Sequence, residues 1–344
     1  MSEEISSRVD VGFCEEVHEK WRVQSAQFPS KVGGKPAWLS YENIPGYEDL
    51  KCPKCENQMC FLCQVYAPLE DDPANFHRTI FIFLCRSATC CQRNRSDTVR
   101  VFRNQLSWKN PFYSHEPPPE EEPVHFDAAR FSKLCELCGC FAEKTCSKCK
   151  KAWYCSREHQ IIHWKDHHKD ACGNPSKPSK LSSILFTEYE IVIESEEYKK
   201  SVVNEEDQLQ LYNRLVSEGR TGTLPESEEA ELENHATCEK DKVFANFRKR
   251  VDCNPEQILR YERGGEPLWI ASEPKPEAVP DCEQCGGPRQ FEFQVMPQLL
   301  TVLKENELDF GVLLVYTCKR SCSSQKTYSN EFVFKQDVCE TDTV

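Results

Sequence analysis

The feature that most constrains this chain is its cysteine content, 22 residues in a sequence of 344. The opening MSEEISSRVDVGF carries neither the basic stretch nor the apolar core of a secretory signal, and the longest apolar runs are too short to span a bilayer. We therefore expect a protein of the cytoplasm and nucleus. Thiols stay reduced there, so paired cysteines are interpreted first as zinc ligands.

The densest group of cysteine and histidine residues lies in the middle of the chain. Its eight members span only 38 residues, and they are Cys135, Cys138, Cys146, Cys149, Cys155, His159, His168 and Cys172. Eight such ligands suffice for two tetrahedral zinc ions, and no position is left open for a water molecule, so a catalytic zinc is not expected. A segment this short buries too little apolar surface to fold alone, so metal binding should supply most of its folding free energy.

This spacing closely resembles the MYND zinc finger, which the Tyr154-Cys155 step, Gln160 and Trp164 also match. The resemblance implies interleaved ligands, with the first, second, fifth and sixth on one zinc ion and the other four on the second ion. The first set is then Cys135, Cys138, Cys155 and His159, and the second set is Cys146, Cys149, His168 and Cys172. The resemblance also implies binding of peptides, often proline-rich ones, without chemistry.

One histidine of the finger is ambiguous. The family's usual gap of seven after the sixth ligand selects His167, whereas the usual gap of three before the last ligand selects His168. We prefer His168, because a histidine and a cysteine three apart share one face of a helix, and we keep His167 as the alternative. His163 is interpreted as a surface residue.

Two regions that flank the finger resemble each other. Each contains a Cys-x-x-Cys pair, a strand with Gln-Val and a nearby proline, an apolar strand that ends in cysteine, a further cysteine and an aromatic strand. Five features in the same order indicate a diverged internal duplication. Short β-branched and aromatic runs predict six strands, three in each region. They are Phe61–Val65, Thr79–Cys85, Thr98–Phe102, Phe291–Val295, Val312–Thr317 and Phe332–Phe334.

Each of these regions carries four cysteines in the order of a zinc ribbon, in which two pairs at the ends of neighbouring hairpins meet at one ion. The C-terminal set is Cys282, Cys285, Cys318 and Cys322, and the N-terminal set is Cys52, Cys55, Cys85 and Cys90. The second gap is three residues in one set and four in the other, which departs from the usual two, and Cys91 could replace Cys90.

Two other interpretations of these sets stay open, namely buried thiols without a ligand role and a redox dithiol at Cys52 and Cys55. A redox pair needs a helix N-terminus after it to lower the thiol pKa, but a strand-like FLCQVY follows here. The remaining cysteines are interpreted as core or surface thiols. They are Cys14, Cys60, Cys63, Cys91, Cys140, Cys238, Cys253 and Cys339.

The predicted fold class is α+β and mostly β, with two related β-rich, zinc-ribbon-like halves, an inserted MYND finger and an acidic segment that is helical or disordered. The predicted boundaries are 1–114 for the N-terminal half, 115–132 for a Pro/Glu linker, 133–174 for the finger, 175–240 for the acidic segment and 241–344 for the C-terminal half. From Glu188 to Glu239 there are 15 acidic and 4 basic residues, which accounts for most of the net charge of −13. Predicted helices are Glu205–Glu218 and Glu226–Lys249, with a helical turn at Pro255–Tyr261.

No signature of an enzyme appears. Walker loops, dinucleotide-binding glycine motifs, G-x-S-x-G and H-E-x-x-H are missing from the sequence, and Gly33-Gly34 is interpreted as a turn. The acidic balance argues against a nucleic-acid partner bound through overall positive charge, and it favours a basic protein partner. We expect no membrane association.

The whole chain resembles the programmed cell death protein 2 family in six segments arranged around the finger. They are FPSKVGGKPAWL (28–39), QVYAPL (64–69), VFRNQL (101–106), PEQILRY (255–261), QVMPQLL (294–300) and FVFKQDV (332–338). The resemblance implies a role in making the small ribosomal subunit, as a dedicated chaperone of a basic ribosomal protein (S five family, S two in eukaryotic naming). Two zinc ions are expected in the finger and one more in each half. The alternative is a nuclear adaptor whose finger recruits transcriptional co-repressors, linked to apoptosis and proliferation control.

Overall fold

The computed structural model of the protein describes residues 9–122, 126–172, 184–196, 239–323 and 326–338. Ten strands form one closed barrel, and two short strands form a hairpin inside the finger. The barrel strands are β1 (Asp10–Glu16), β2 (Lys31–Val32), β3 (Cys60–Tyr66), β4 (His77–Leu84), β5 (Val99–Leu106), β8 (Tyr189–Ser195), β9 (Leu259–Tyr261), β10 (Arg289–Val295), β11 (Val312–Cys318) and β12 (Tyr328–Gln336). The finger strands are β6 (Lys144–Thr145) and β7 (Trp153–Tyr154).

Around the barrel the strands follow the order β1, β8, β2, β3, β4, β5, β12, β11, β10, β9 and back to β1. Every neighbouring pair is antiparallel. The three central strands of each half therefore form consecutive hairpins. The halves meet where β5 pairs with β12 and again where β1 pairs with β9. Each barrel strand therefore has a neighbour on both sides, which leaves few free strand edges among the described residues.

The six predicted strands are confirmed, and the fold class is mostly β as predicted. Four barrel strands were missed, namely β1, β2, β8 and β9. The predicted helical turn at Pro255–Tyr261 is wrong, because its last three residues form β9 between β1 and β10. The helix predicted at Glu226–Lys249 lies at Glu239–Asp252 in the described residues, and Glu205–Glu218 lies outside them. The zinc-ribbon character of the halves stays a prediction.

The same contacts recur in the two halves. Both β3 and β10 carry a bulge, after Phe61 and after Phe291. A glutamine follows three residues after each of these phenylalanines, Gln64 in β3 and Gln294 in β10. Its side-chain amide forms hydrogen bonds with both the N–H and the C=O of one loop residue. The loop residue precedes Trp38 in one half and Trp269 in the other. Cross-strand register then makes Cys85 the counterpart of Cys318.

Strand β4 shows how the core is divided. Its sequence HRTIFIFL is rich in β-branched and aromatic residues and is buried throughout. Ile80 and Ile82 point into the barrel, where they join an apolar cluster with strands of both halves. Phe81 and Phe83 point outward, where the finger covers them. Because both faces are covered, the strand is a nearly continuous apolar run and not an alternating one.

The finger continues from its hairpin into a helical segment, α1 (Arg157–His163), a π-helical turn (Trp164–His168) and a last short turn, α2 (Lys169–Ala171). Ser156 begins α1, and its hydroxyl accepts the backbone N–H of His159 at 3.1 Å. Two further helices follow, α3 (Glu239–Asp252) and α4 (Gln298–Leu303). Among the described residues, no helix has the length and apolar character needed to cross a membrane.

The predicted turn at Gly33-Gly34 is present. Both glycines have φ near +64°, a region in which side chains other than glycine are strained. A Cβ atom on Gly33 would lie 2.1 Å from the Thr187 carbonyl oxygen, so this turn also needs glycine for lack of space. The turn leads β2 into the loop that carries Trp38 to the finger.

Candidate metal centres

The first predicted ligand set of the finger is brought together by three separate pieces of backbone. The knuckle after residue 134 supplies Cys135 and Cys138, β7 leads directly into Cys155, and α1 supplies His159. The sulfur atoms of Cys138 and Cys155 are 3.5 Å apart, and His159 Nδ1 is 3.1 Å from Cys155 Sγ. Tetrahedral zinc with bonds of about 2.3 Å places its sulfur ligands about 3.7 Å apart, so the set has the size of a zinc site.

The second finger set also converges, with Cys146 and Cys149 on the next knuckle and the other two ligands at the end of the helical segment. Its four ligand atoms lie within 4.8 Å of one another, and His168 Nε2 is 3.5 Å from Cys149 Sγ. The structure brings His168, and not His167, to this group. Eight residues lie between His159 and His168, one more than the usual gap of seven. The π-helical turn Trp164–His168 accommodates this extra residue, so that His168 faces the group.

The interpretation of His163 as a surface residue is wrong. Its side chain is buried, and its Nδ1 atom lies 3.0 Å from the Tyr154 hydroxyl. Burial, together with the nearby His168, lowers the pKa of His163 to about 4. A neutral His163 therefore fixes Tyr154 beneath the second set. Sequence spacing gave no sign of this contact because the two residues belong to different elements.

The four Cys-x-x-Cys pairs that belong to the ligand sets adopt one local geometry, whereas the fifth pair with this spacing, Cys60 and Cys63, lies in strand β3. In each of the four, the N–H of the residue four positions after the first cysteine donates to that cysteine's carbonyl oxygen, at 2.8–2.9 Å. That residue has positive φ in every case, and the four are Glu56, Gly139, Lys150 and Gly286. Such a turn aims backbone N–H groups at the thiolates, which is the arrangement a zinc knuckle requires.

The two outer sets lie at the ends of the hairpins in the two halves. Cys55 Sγ is 3.5 Å from Cys85 Sγ, and Cys90 completes this N-terminal set. In the C-terminal set the sulfur of Cys282 is 3.6 Å from that of Cys322, and the sulfur of Cys285 is 3.7 Å from that of Cys318. Both sets also have the size of a tetrahedral zinc site. Cys91, the alternative to Cys90, points elsewhere, and its thiol lies 2.9 Å from the Asp309 carbonyl oxygen.

In each set the structure lowers the pKa of one thiol. Backbone N–H of Gly287 and then the Arg320 guanidinium lower the pKa of Cys285 to about 6. Hydrogen bonds from neighbouring thiols, first Cys138, hold the pKa of Cys135 far below its usual range. Burial raises the pKa of Cys52 and Cys149, but backbone N–H groups outweigh it and leave both lowered. Each set thus contains one thiol that ionises more readily than a free cysteine, which favours metal binding.

The finger is joined firmly to the N-terminal half. The Trp38 indole N–H donates to the Gly139 carbonyl oxygen at 2.7 Å, and Lys35 Nζ donates to the Glu136 carbonyl oxygen at 2.6 Å. Trp38 is 1% exposed and packs against Phe81 and Tyr328 at ring distances of 5.0 and 5.2 Å. One apolar cluster therefore includes β4, the Trp38 loop and the finger.

Sequence reasoning missed Gln58, a side chain that contacts the first finger set. Its Nε2 atom is 3.5 Å from Cys138 Sγ, and its Oε1 atom is 2.9 Å from Cys155 Sγ. Gln58 follows the Cys52–Cys55 knuckle and pairs with Lys51 across it. The residue therefore connects an outer set with the finger, and no local pattern signals a contact between positions 80 residues or more apart.

Three family models match the chain. They are Programmed cell death protein 2, N-terminal domain, over residues 8–120; Programmed cell death protein 2, C-terminal putative domain, over residues 241–337; and MYND finger, over residues 135–172. The match to the finger begins and ends at the two outermost predicted ligands.

Relatives cover nearly the whole chain. Programmed cell death protein 2 of Bos taurus is 44% identical over 358 residues, which cover 99% of this chain and 99% of that protein. The protein of the same name from Mus musculus is 45% identical over 348 residues, 97% of each chain. Probable 20S rRNA accumulation protein 4 of Schizosaccharomyces pombe is 24% identical over 355 residues, 86% of this chain and 88% of its own. No solved structure matches the chain with significance.

Proposed function

The chain belongs to the programmed cell death protein 2 family, and from this premise we propose that it is a non-enzymatic chaperone of a basic small-subunit ribosomal protein. The client is the protein of the S five family (S two in eukaryotic naming), and the escort supports small ribosomal subunit biogenesis in cytoplasm and nucleus. The name of the Schizosaccharomyces pombe relative, which refers to accumulation of 20S rRNA, supports a link to ribosome production.

The acidic balance supports a basic client. The chain has 56 acidic and 43 basic residues, and most of the excess falls between Glu188 and Glu239. A field of this sign attracts a basic protein at long range and competes with RNA for it. Within the described residues, four glutamates and two basic residues, Arg86 and Lys304, also line a cavity of about 890 Å³ where the finger meets both halves, and Arg86 forms an ion pair with one of the four glutamates, Glu305. The four glutamates are Glu56, Glu158, Glu305 and Glu307.

The observation that favours the chaperone over the co-repressor adaptor is the hydrophobic core that the finger shares with the barrel. A recruitment module is normally tethered so that it can reach a partner independently. Here the finger contributes Leu137 and Tyr154 to the cluster that covers Phe81 and Phe83 of β4. Finger and barrel therefore present one composite surface, which suits the enclosure of a single client better than the recruitment of a separate complex.

We further propose four zinc ions for the protein, two in the finger and one in each outer set. Their chemistry is structural, because each set has four protein ligands and leaves no position for water. The metal would hold loops at the barrel ends that have little apolar surface of their own.

Association kinetics with the purified ribosomal protein test the chaperone proposal. Glu→Gln substitution at five acidic positions outside the described residues should slow association about tenfold at low salt, with a smaller effect at physiological salt, where screening shortens to about 8 Å. The five positions are Glu226, Glu228, Glu229, Glu231 and Glu233. The dissociation rate should change little, because apolar and main-chain contacts should hold the bound client.

A control variant carries the same change in charge elsewhere, on the exposed residues Glu116, Glu120, Glu121, Glu122 and Glu143. If the control slows association equally, net charge alone and not the acidic segment steers the client. If the wild-type chain forms no complex with the ribosomal protein, the chaperone proposal is wrong.

The alternative, a co-repressor adaptor, rests on the finger and makes a different prediction. Deleting residues 135–172 is a poor test, because deletion would expose the aromatic cluster on β4. The exposed Ile161 on α1 is a better target, since it is 42% exposed. Ile161→Asp should abolish binding of a proline-rich peptide if the finger is an adaptor. Client binding should survive this change if the barrel and acidic segment hold the client.

A further inference from the structure

The loop that carries the last cysteine of each outer set is held by the opposite half of the barrel. We name residues 85–98, between β4 and β5, the N-terminal cysteine loop, and residues 318–323, after β11, the C-terminal cysteine loop. The first contains Cys90 and the second contains Cys322. Strands β5 and β12 run side by side where the halves meet, so each strand can reach past its partner to the other half's loop.

Strand β5 of the N-terminal half holds the C-terminal cysteine loop. Arg103 Nη1 donates to the Cys322 carbonyl oxygen at 3.3 Å, and Arg103 Nη2 is 4.0 Å from Cys322 Sγ. Gln105 Nε2 donates to the Ser321 carbonyl oxygen at 3.2 Å. The buried Glu331 fixes Arg103 at 2.6 Å and also accepts the backbone N–H of Cys318 at 3.1 Å.

Strand β12 of the C-terminal half holds the N-terminal cysteine loop in return. Lys335 Nζ donates to the Gln92 carbonyl oxygen at 3.1 Å and is 3.5 Å from Cys91 Sγ. One residue beyond the strand, Asp337 and Asn94 form two hydrogen bonds. The Asp337 N–H donates to Asn94 Oδ1 at 2.8 Å, and the Asn94 N–H donates to Asp337 Oδ2.

The two clamps use equivalent positions. Gln64 faces Phe81 and Gln294 faces Leu314, so Ile80 on β4 corresponds to Leu313 on β11. Ile80 faces Arg103 across β4 and β5, and Leu313 faces Lys335 across β11 and β12. A basic side chain therefore stands at the same position of the third strand in both halves, and each reaches the loop of the other half.

We propose that Arg103 and Lys335 are positioning residues for the metal sites of the opposite halves, so that metal binding by the outer sets and closure of the barrel between β5 and β12 are coupled. The coupling is reciprocal, because a metal that binds only the closed form stabilises closure to the same degree that closure strengthens binding. A zinc ion with four thiolates carries a formal charge of −2, so a cation beside the loop also favours the loaded site. The inference rests on the outer sets holding metal and not on the identity of the client.

Pulsed alkylation of the zinc-loaded full chain, with each cysteine followed by peptide mass spectrometry, tests the crossed arrangement. Arg103→Met should speed alkylation of Cys282, Cys285, Cys318 and Cys322 by about tenfold, the scale for lost outer-shell contacts. The N-terminal set and the finger should keep their rates. Lys335→Met should give the opposite pattern, with faster alkylation of Cys52, Cys55, Cys85 and Cys90 only. Arg103→Lys and Lys335→Arg, which keep the charge, should largely restore protection.

Three results would overturn the inference: acceleration in the variant's own half, equal acceleration of all sets, or no change. Because Arg103 is buried beside Glu331, Gln105→Leu provides a milder second variant, which removes only the bond to the Ser321 carbonyl. It should accelerate alkylation of the C-terminal set alone, to a smaller extent. Native mass spectrometry of the wild-type chain tests separately the premise that the outer sets hold metal. Two bound zinc ions instead of four would show that the outer sets hold none. That count would leave the client-binding proposal to its own test.

Discussion

Replacement of Trp38 by phenylalanine should weaken the junction of finger and barrel. The indole N–H donates to the Gly139 carbonyl oxygen, which belongs to the turn of the Cys135 knuckle. Phenylalanine cannot donate, so a buried carbonyl group loses its partner at a cost of about 1–3 kcal/mol. The smaller ring also leaves space beside Phe81 and Tyr328, which adds about 1 kcal/mol. We expect a loss of about 2–4 kcal/mol in the free energy of unfolding.

Trp269→Phe is the matched control. Trp269 occupies the equivalent loop position in the other half, but it is only partly buried, packs beside Phe334 at 6.4 Å and lies under Lys275. The same substitution there should cost less than about 1 kcal/mol, because partly exposed sites lose little. Any general effect of removing an indole ring is common to both variants.

The assay is urea denaturation followed by far-ultraviolet circular dichroism, with equal excess zinc in all samples, together with the rate of zinc transfer to a chromophoric chelator. Trp38→Phe should lower the unfolding midpoint and speed release of the finger's zinc. The reasoning would be refuted if Trp38→Phe lowered the free energy of unfolding no more than Trp269→Phe. It would also be refuted if stability fell while finger zinc was released at the wild-type rate, since the bond is made to the knuckle itself.

Two further predictions concern metal and acid. Elemental analysis should find four zinc ions per wild-type chain, and a count below two would contradict the assignment of the finger itself. Cys155→Ser should unfold the finger, because an incomplete ligand set loses much of the roughly 10–16 kcal/mol of metal-binding free energy that drives folding of such modules. In the barrel, burial opposes ionisation of Glu292, but Arg78 at 2.6 Å outweighs it and lowers the pKa of Glu292 from 4.5 to about 2. Glu292 therefore stabilises the fold above about pH 4.5, and that contribution is lost as pH falls toward 2. Glu292→Gln should lower the free energy of unfolding by about 3–5 kcal/mol at pH 7, because Arg78 is left buried without its charged partner. Denaturation measured at pH 7 and below pH 4.5 should show that the difference in stability from wild type is smaller at the lower pH. A difference independent of pH would contradict this prediction.

The local features of this protein follow from its sequence alone. Cysteine spacing identified the two outer sets and the eight finger ligands, because a knuckle turn is fixed by short-range backbone geometry. The resemblance to the MYND finger then divided those eight into the two groups whose ligand atoms converge. The six central strands followed from runs such as TIFIFL, in which β-branched and aromatic residues dominate. The family resemblance was also available from short segments, since each of them retains a recognisable pattern.

Other features depended on partners far away in the chain. Strands β1 and β8 were missed because GFCEE and YEIVIES have the charge of a surface segment. They pair with each other across 170 or more residues, and also with β9 and β2, so their partners are distant in sequence. His163 looked like a surface residue until the fold placed Tyr154 beside it. Closure of the two halves into one barrel was equally hidden, since an amino-acid pattern describes which face of a strand is apolar but not which strand lies beside it.

The candidate metal ligands show which features the sequence determined and which the tertiary structure decided. The spacing usual in the MYND family reduced the seventh finger ligand to His167 or His168, and a π-helical turn placed His168 in the group by absorbing one extra residue. The sequence also determined which cysteines form each outer set. Only the tertiary structure decided that Arg103 and Lys335 hold the loops of the opposite sets, because these contacts join residues more than 200 positions apart and depend on how β5 and β12 pair.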